Sequence, residues 1–211
     1  PVRYDQAGNT NYNAATQVTE NTSAEAFHSI SLVSGWNLVS FHLIPASSDI
    51  ADVLESIDGK YSLVYAWDAT GASAGVGNWK TYDPDVSIPQ TLSTLTNDVG
   101  FWINMTEAGT LQVSGTPPST TNVNLLTSAG GWNLVGYPSA GSEALPAALT
   151  NHGVSSANFS LVYAYHAVEG PSLGWKTFDQ IPMSTDTLTV VEPGWGYWIK
   201  VTADHDWSVV Y

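Results

Sequence analysis

Gly35-Trp36-Asn37-Leu38-Val39 is the stretch that decides the fold, because it recurs further along the chain as Gly131-Trp132-Asn133-Leu134-Val135. Three further pairs recur in the same order: residues 62–66 with 160–164, 79–81 with 175–177, and 102–103 with 198–199. The spacing is constant except for a two-residue difference in the second pair, which indicates an insertion and a compensating deletion in loops. The chain is therefore a tandem duplication, with copies at 30–115 and 122–211 joined by a linker at 116–121.

Each copy contains short apolar stretches separated by Gly, Pro and Asp clusters, a pattern typical of antiparallel strands. After the first two strands the period changes to that of a helix. Asp49 is the expected N-cap of this helix, whose apolar face is Ile50, Val53, Leu54 and Ile57, and residues 142–151 are its weaker counterpart. We predict a mainly β fold of two tandem repeats, each an antiparallel sheet or partly open barrel with one short α-helix.

The surface is polar but carries few charges. Only 11% of the residues are charged, and the net charge is -14. Nucleic acid and anionic bilayers are repelled by such a chain, whereas a neutral glycan or a divalent cation is not. The absence of cysteine excludes disulfides and thiolate metal sites, and no apolar run is long enough for membrane insertion.

Residues 1–29 belong to neither copy and read as a linker. Within them, QAGNTNYNAA at 6–15 resembles the end of bacterial immunoglobulin-like repeats. The pattern GWNLVS at 35–40 with FWI at 101–103, repeated as GWNLVG at 131–136 and GYWI at 196–199, is similar to C-terminal modules of secreted multimodular bacterial surface proteins. The resemblance implies an extracellular or cell-surface location at the end of a longer exported polypeptide, and it transfers no activity.

Tryptophans that recur in both copies have aliphatic neighbours in their strands. We therefore predict that Trp36, Trp102, Trp132 and Trp198 are core residues. For Trp79 and Trp175, each beside a lysine and a loop, core and surface positions are equally compatible with the sequence.

Aromatic residues that break the repeat are not required by a shared core. Trp67 aligns with Tyr165, Trp195 with Asp98 or Val99, and Trp207 lies near Leu111. Alternation also places Tyr65 and Trp67 on one face of their strand, which is either a binding surface or part of a strand buried on both sides. The predicted ligand-binding residues are Trp67, Trp79, Tyr82, Tyr165, Trp175, Trp195 and Trp207. We expect the two copies to carry non-equivalent sites.

Catalytic and metal-binding motifs are missing from the sequence. Asp83 and Asp85, together with Asp68, could offer oxygen ligands to calcium, but without a spaced acidic loop solvated turn aspartates are favoured, for Asp179 as well. The histidines have no metal-ligand spacing, and no nucleophile or nucleotide motif occurs. We therefore predict neither a cofactor nor an enzyme.

Two lysines, Lys80 and Lys176, recur although lysine is scarce. They fit an ion pair with an aspartate, an intramolecular cross-link or, by default, solvated strand lysines.

Two functions fit these observations. The first is a non-catalytic extracellular binding or adhesion module that binds a polysaccharide or another extracellular ligand by aromatic stacking. The alternative is a structural surface or filament subunit that self-associates through strand edges, with the N-terminal segment added as a strand to a neighbour.

Overall fold

The computed structural model describes residues 2–4, 7–8, 10, 18–20, 26–73, 76–181 and 185–211. The N-terminal segment and the first copy contain the strands β1 (Val2–Tyr4), β2 (Val18–Glu20), β3 (Ala26–Leu32), β4 (Gly35–Val39), β5 (Ile44–Pro45), β6 (Tyr61–Ser73), β7 (Val76–Tyr82), β8 (Phe101–Met105) and β9 (Gly109–Thr116), the helix α1 (Ile50–Val53) and a 3₁₀ turn at Glu55–Ile57. Strands β4-β8-β6-β7 form one antiparallel sheet in that order, and β3-β9-β5 form another.

The second copy repeats this arrangement. It contains the strands β10 (Thr120–Leu125), β11 (Trp132–Gly136), β12 (Glu143–Ala144), β13 (Phe159–Tyr165), β14 (Trp175–Asp179), β15 (Val190–Val191), β16 (Gly196–Val201) and β17 (His205–Val210), the helix α2 (Ala147–Thr150) and a 3₁₀ turn at Ala167–Glu169. Strands β11-β16-β13-β14 form its main sheet, β10 pairs with β17, and β12 pairs with β15. The predicted mainly β fold with one short α-helix in each repeat is confirmed, and its sheets are open rather than closed into barrels.

The boundaries of the copies differ slightly from those expected. Strand β3 begins at Ala26, inside the segment assigned to neither copy, because Ala26 pairs with Gly115 of β9. The connection between the copies is shorter than 116–121, since β9 ends at Thr116 and β10 begins at Thr120. Strands β1 and β2 pair with each other, and most of the 6–15 stretch lies outside the described residues.

Each main sheet buries one face in its own hydrophobic core. In the first copy this core lies between the sheet, the β3-β9 pair and the helical segment. The Asp49 carboxylate caps α1 by accepting a hydrogen bond from the Ala51 N–H at 2.9 Å, as predicted. The predicted helix face is buried, and its residues are Ile50, Val53, Leu54 and Ile57. Burying each large apolar side chain stabilises the fold by about 1.5–3 kcal/mol. Among the described residues, no helix is long and apolar enough to cross a membrane.

The recurring pentapeptide forms the turn that starts each main sheet. Gly35 has a φ of 90°, a left-handed conformation that favours glycine. The Asn37 Oδ1 accepts a hydrogen bond from the Val33 N–H at 3.0 Å, and its Nδ2 donates to the Val33 carbonyl at 2.7 Å. Asn133 makes the same pair of bonds to the Leu126 backbone, at 2.8 and 3.0 Å. The buried asparagines therefore satisfy backbone groups of the turn that would otherwise lack partners.

The remaining positions of the pentapeptide alternate between the two faces of the strand. Val39 belongs to the core of the first copy, and Val135 to that of the second. Leu38 and Leu134 point to the opposite face and are buried against each other's copy, together with Tyr165. This second face is where the copies meet.

The contacts between the copies are reciprocal. Val39 forms an isolated bridge with Trp195, and the equivalent Val135 forms one with Val99. Beside these bridges the Ser40 N–H donates to the Gly194 carbonyl at 3.1 Å, and the Gly136 N–H donates to the Asp98 carbonyl at 2.8 Å. Residue pairs that exchange places in this way are the signature of a two-fold, isologous interface, here within one chain.

Candidate functional site

The face of each main sheet that turns away from its own core is lined with aromatic side chains. In the first copy, strand alternation puts Val64 and Ala66 into the core and Tyr65 and Trp67 on the outer face, as the sequence predicted. Register then places Trp102 beside Tyr65, and Trp79 beside Trp67. Because the two outer faces are turned towards each other, the aromatic rings of both copies form two clefts.

The first cleft has a volume of about 570 Å³. Its floor belongs to the second copy, where Trp132 stacks on Tyr163 with ring centroids 5.6 Å apart and meets Trp198 edge-on at 6.2 Å. Its wall belongs to the first copy, where Trp67 and Trp79 approach the Trp198 ring at 5.6 and 5.7 Å. The full lining of the first cleft is Trp67, Trp79, Trp132, Tyr163, Trp175, Thr177 and Trp198.

The second cleft repeats this construction with the copies exchanged. Its floor is Trp36 stacked on Tyr65 at 5.6 Å, with Trp102 edge-on to Trp36 at 6.3 Å. Its wall is Tyr165 and Trp175, which lie 5.4 and 5.8 Å from the Trp102 ring. The cleft has a volume of about 370 Å³, and its lining is Trp36, Tyr65, Trp102, Tyr165, Pro171 and Trp175.

Three tryptophans of the clefts are largely accessible: Trp36 is 39% exposed, Trp79 47% and Trp175 48%. Burying such a ring gains free energy in proportion to its apolar area, which makes this exposed aromatic surface a candidate binding site. The Trp67 Nε1–H donates to the Trp132 carbonyl at 3.0 Å, a hydrogen bond that joins the two copies within the first cleft.

Charged groups lie mostly at the margins of the clefts. The Lys200 Nζ lies 5.4 Å from the ring centroid of Trp132, a cation–π contact. At the hairpin end in the first copy, Lys80 pairs with Asp68 at 3.4 Å, one of the arrangements that the sequence left open. The Thr70 hydroxyl and, less strongly, Lys80 lower the pKa of Asp68.

The second copy has a matching ion pair at its own hairpin end. Lys176 bonds to the Glu169 carboxylate, whose other oxygen faces His166 at 3.4 Å. This hydrogen bond from Lys176 lowers the pKa of Glu169. Both recurring lysines are thus held by an acid of their own copy, and no carboxylate is among the described residues that line either cleft.

The structure brings four of the predicted site residues into the clefts. Trp67 and Trp79 form the wall of the first cleft, and Tyr165 and Trp175 form that of the second. Trp195 lies apart from them, stacked on His166 at 3.9 Å, beside a smaller cavity of about 220 Å³ between the copies.

Two predicted site residues face a core instead. Trp207 is 0% exposed, stacks on Tyr137 at 5.9 Å and donates its Nε1–H to the Ala148 carbonyl at 2.7 Å. Tyr82 packs against the first core and stacks on Tyr61 at 6.5 Å. Strand alternation directs both side chains inward, so neither lines a cleft, and the complete burial of Trp207 contradicts its prediction as a ligand-binding residue.

The four recurring tryptophans, predicted as core residues, are not part of the core of either copy, although Trp102 and Trp198 pack against the buried cluster between the copies. Trp36, Trp102, Trp132 and Trp198 all lie on the outer faces and form the floors of the clefts. Alternation contained the missing signal: in β8, Phe101, Ile103 and Met105 take the inward positions, which leaves Trp102 on the outer face. Residues that recur in both copies therefore include those that line the clefts as well as those that form the cores.

The acidic turns have structural partners. The Asp83 carboxylate accepts hydrogen bonds from the Asp85 and Ser87 N–H groups at 2.8 and 3.0 Å, and Asp179 accepts one from the Ile181 N–H at 3.0 Å. These bonds form Asx turns, but Asp83 is buried rather than solvated as expected. Within the described part of the chain, no group of three or more His, Asp or Glu residues could hold a metal ion.

Comparison with protein-family models, with curated proteins and with solved structures finds no match for this chain.

Proposed function

We propose that the chain is a non-catalytic extracellular module that binds a neutral polysaccharide in its two aromatic clefts. The observation that carries the proposal is the pair of open clefts, each floored by a stacked Trp–Tyr pair and walled by aromatic rings of the other copy. Flat aromatic faces suit the apolar faces of pyranose rings, and both volumes fall within the range of about 300–1,000 Å³ that is usual for ligand sites.

Charge supports a neutral ligand over an anionic one. The chain carries a net charge of -14, and a polyanion approaching it meets long-range repulsion. The cleft linings are almost entirely aromatic, so stacking supplies the contact area. Hydrogen bonds to sugar hydroxyls would come from indole N–H and tyrosine O–H groups other than the Trp67 Nε1–H, which is bonded to the Trp132 carbonyl.

The test is isothermal titration calorimetry against neutral oligosaccharides of different linkage, namely cellohexaose, xylohexaose, mannohexaose and maltohexaose, with oligogalacturonate as the anionic comparison. The double variant Trp79→Ala with Trp175→Ala removes the two most exposed rings of the clefts. We expect one of the neutral sugars to bind the wild-type chain and to bind this variant at least about tenfold more weakly, a loss of about 1.4 kcal/mol or more.

The matched control is Phe27→Ala, which removes an aromatic ring that is 66% exposed in β3, away from both clefts. Its affinity should equal that of the wild-type chain. The proposal fails if no neutral oligosaccharide binds, or if the double variant binds as tightly as Phe27→Ala does.

A further inference from the structure

The floors of the two clefts are built from equivalent residues. Each floor contains the tryptophan of the pentapeptide, the tyrosine of β6 or β13 and the tryptophan of β8 or β16. The edge-on pairs also agree, with interplanar angles of 85° for Trp36–Trp102 and for Trp132–Trp198. Equal geometry presents equal stacking faces to a ligand.

Neither cleft is complete within one copy. The first cleft needs Trp67 and Trp79 from the first copy, and the second needs Tyr165 and Trp175 from the second copy. Trp175 also lines the first cleft, so the two clefts adjoin at this ring. The reciprocal backbone contacts, Ser40 N–H to Gly194 carbonyl and Gly136 N–H to Asp98 carbonyl, hold each wall against the opposite floor. Each cleft therefore requires the pair of copies, and the pair has two clefts.

We infer that one protein chain binds two neutral glycan chains, one in each cleft, and so bridges them. This inference rests on the proposed function and adds the number, location and composition of the sites. The expected non-equivalence then lies between two composite clefts rather than between the two copies, because each cleft draws residues from both.

The clefts differ at a few positions, and these predict a ranking. The wall of the first cleft has Trp67 where the second has Tyr165, and the first cleft is larger, at about 570 against about 370 Å³. A tryptophan offers more flat apolar area than a tyrosine. We therefore expect the first cleft to bind a given oligosaccharide more tightly than the second.

The test is calorimetric titration of the full chain with the neutral hexasaccharide that binds best, with native mass spectrometry to count bound molecules. The wild-type chain should bind two. Trp132→Ala removes the floor of the first cleft and Trp36→Ala that of the second, and each variant should bind one molecule. The site left in Trp36→Ala should be the tighter of the two.

Thermal unfolding followed by circular dichroism checks that each variant folds, and Trp36→Leu with Trp132→Leu provides a second pair that keeps apolar volume without a flat ring. A stoichiometry of one in the wild-type chain overturns the two-site inference and leaves the proposed function standing. Loss of all binding in both single variants also overturns it, since it indicates one joint site. No binding of any neutral sugar overturns both.

Discussion

Gly100 lies where the backbones of the two copies cross, and replacing it with alanine tests how closely they pack. A Cβ atom there would lie 2.5 Å from the Val135 carbonyl oxygen and 2.9 Å from its carbon, whereas ordinary contacts begin at 3.4 Å. The obstacle is backbone, which cannot rotate away. The copies must therefore separate by about 0.9 Å, and overpacking of this kind costs about 1–3 kcal/mol.

The same displacement weakens the neighbouring hydrogen bond from the Gly136 N–H to the Asp98 carbonyl, at 2.8 Å, which adds about 1 kcal/mol. We expect Gly100→Ala to lower the free energy of unfolding by about 2–4 kcal/mol in urea titrations. It should also weaken glycan binding in both clefts, because each wall and its floor come from different copies.

Gly141→Ala is the matched control for this substitution. Its Cβ would meet nothing closer than the Ser139 Oγ at 4.0 Å, so its stability should stay within about 0.5 kcal/mol of the wild-type value. If Gly100→Ala were as stable as Gly141→Ala and bound sugar normally, the two backbones would not be in the close contact described, and the composite clefts would lose their basis.

Three further predictions concern stability and assembly. Trp207→Ala should lower the free energy of unfolding by about 3–5 kcal/mol in urea titrations and leave the sugar stoichiometry unchanged, because this ring fills the second core; a surface role would give little loss of stability. Burial and, secondarily, His42 at a ring distance of 4.0 Å lower the pKa of His28 to about 4. On acidification the unfolded state therefore takes up a proton at His28 before the folded state does. The free energy of unfolding should keep its full value above pH 6.5 and fall by on the order of 2 kcal/mol towards pH 4. Urea titrations across this range should show a smaller fall for His28→Gln. Light scattering of the chain with and without residues 1–25 should show that each form is monomeric at high concentration; oligomers that require those residues would favour assembly by strand addition.

Repetition and periodicity were enough to predict the main elements of the fold. The helix face of α1 and its Asp49 cap follow from spacing and capping chemistry, which are local properties of the chain. The boundary at Ala26 could not be predicted, because β3 starts where a distant partner, Gly115, allows pairing. Strand ends in an antiparallel sheet depend on such long-range partners.

The candidate site was only partly predictable, for a similar reason. Alternation within β6 placed Tyr65 and Trp67 on one face, but which face was covered depended on how the copies pack. Trp207 broke the repeat and still proved to be a core residue, because Leu111 at the matching position of the first copy is equally buried and a core accepts either side chain. Departure from the repeat thus identifies variation in volume as readily as a binding residue.

The fusion of two copies in one chain allows the two clefts to differ. In a symmetric dimer of identical chains, both walls would have to carry the same residue, and any change in one would appear in the other. A tandem duplication removes this constraint, which is why Trp67 and Tyr165 occupy equivalent wall positions with different rings. Likewise Lys200 lies over Trp132, whereas the equivalent Asn104 bonds to the Ser62 hydroxyl at 3.2 Å. If the clefts are the binding sites, Tyr165→Trp should bring the affinity of the second cleft closer to that of the first, and equal affinities before the change would show that the wall residue does not set the ranking.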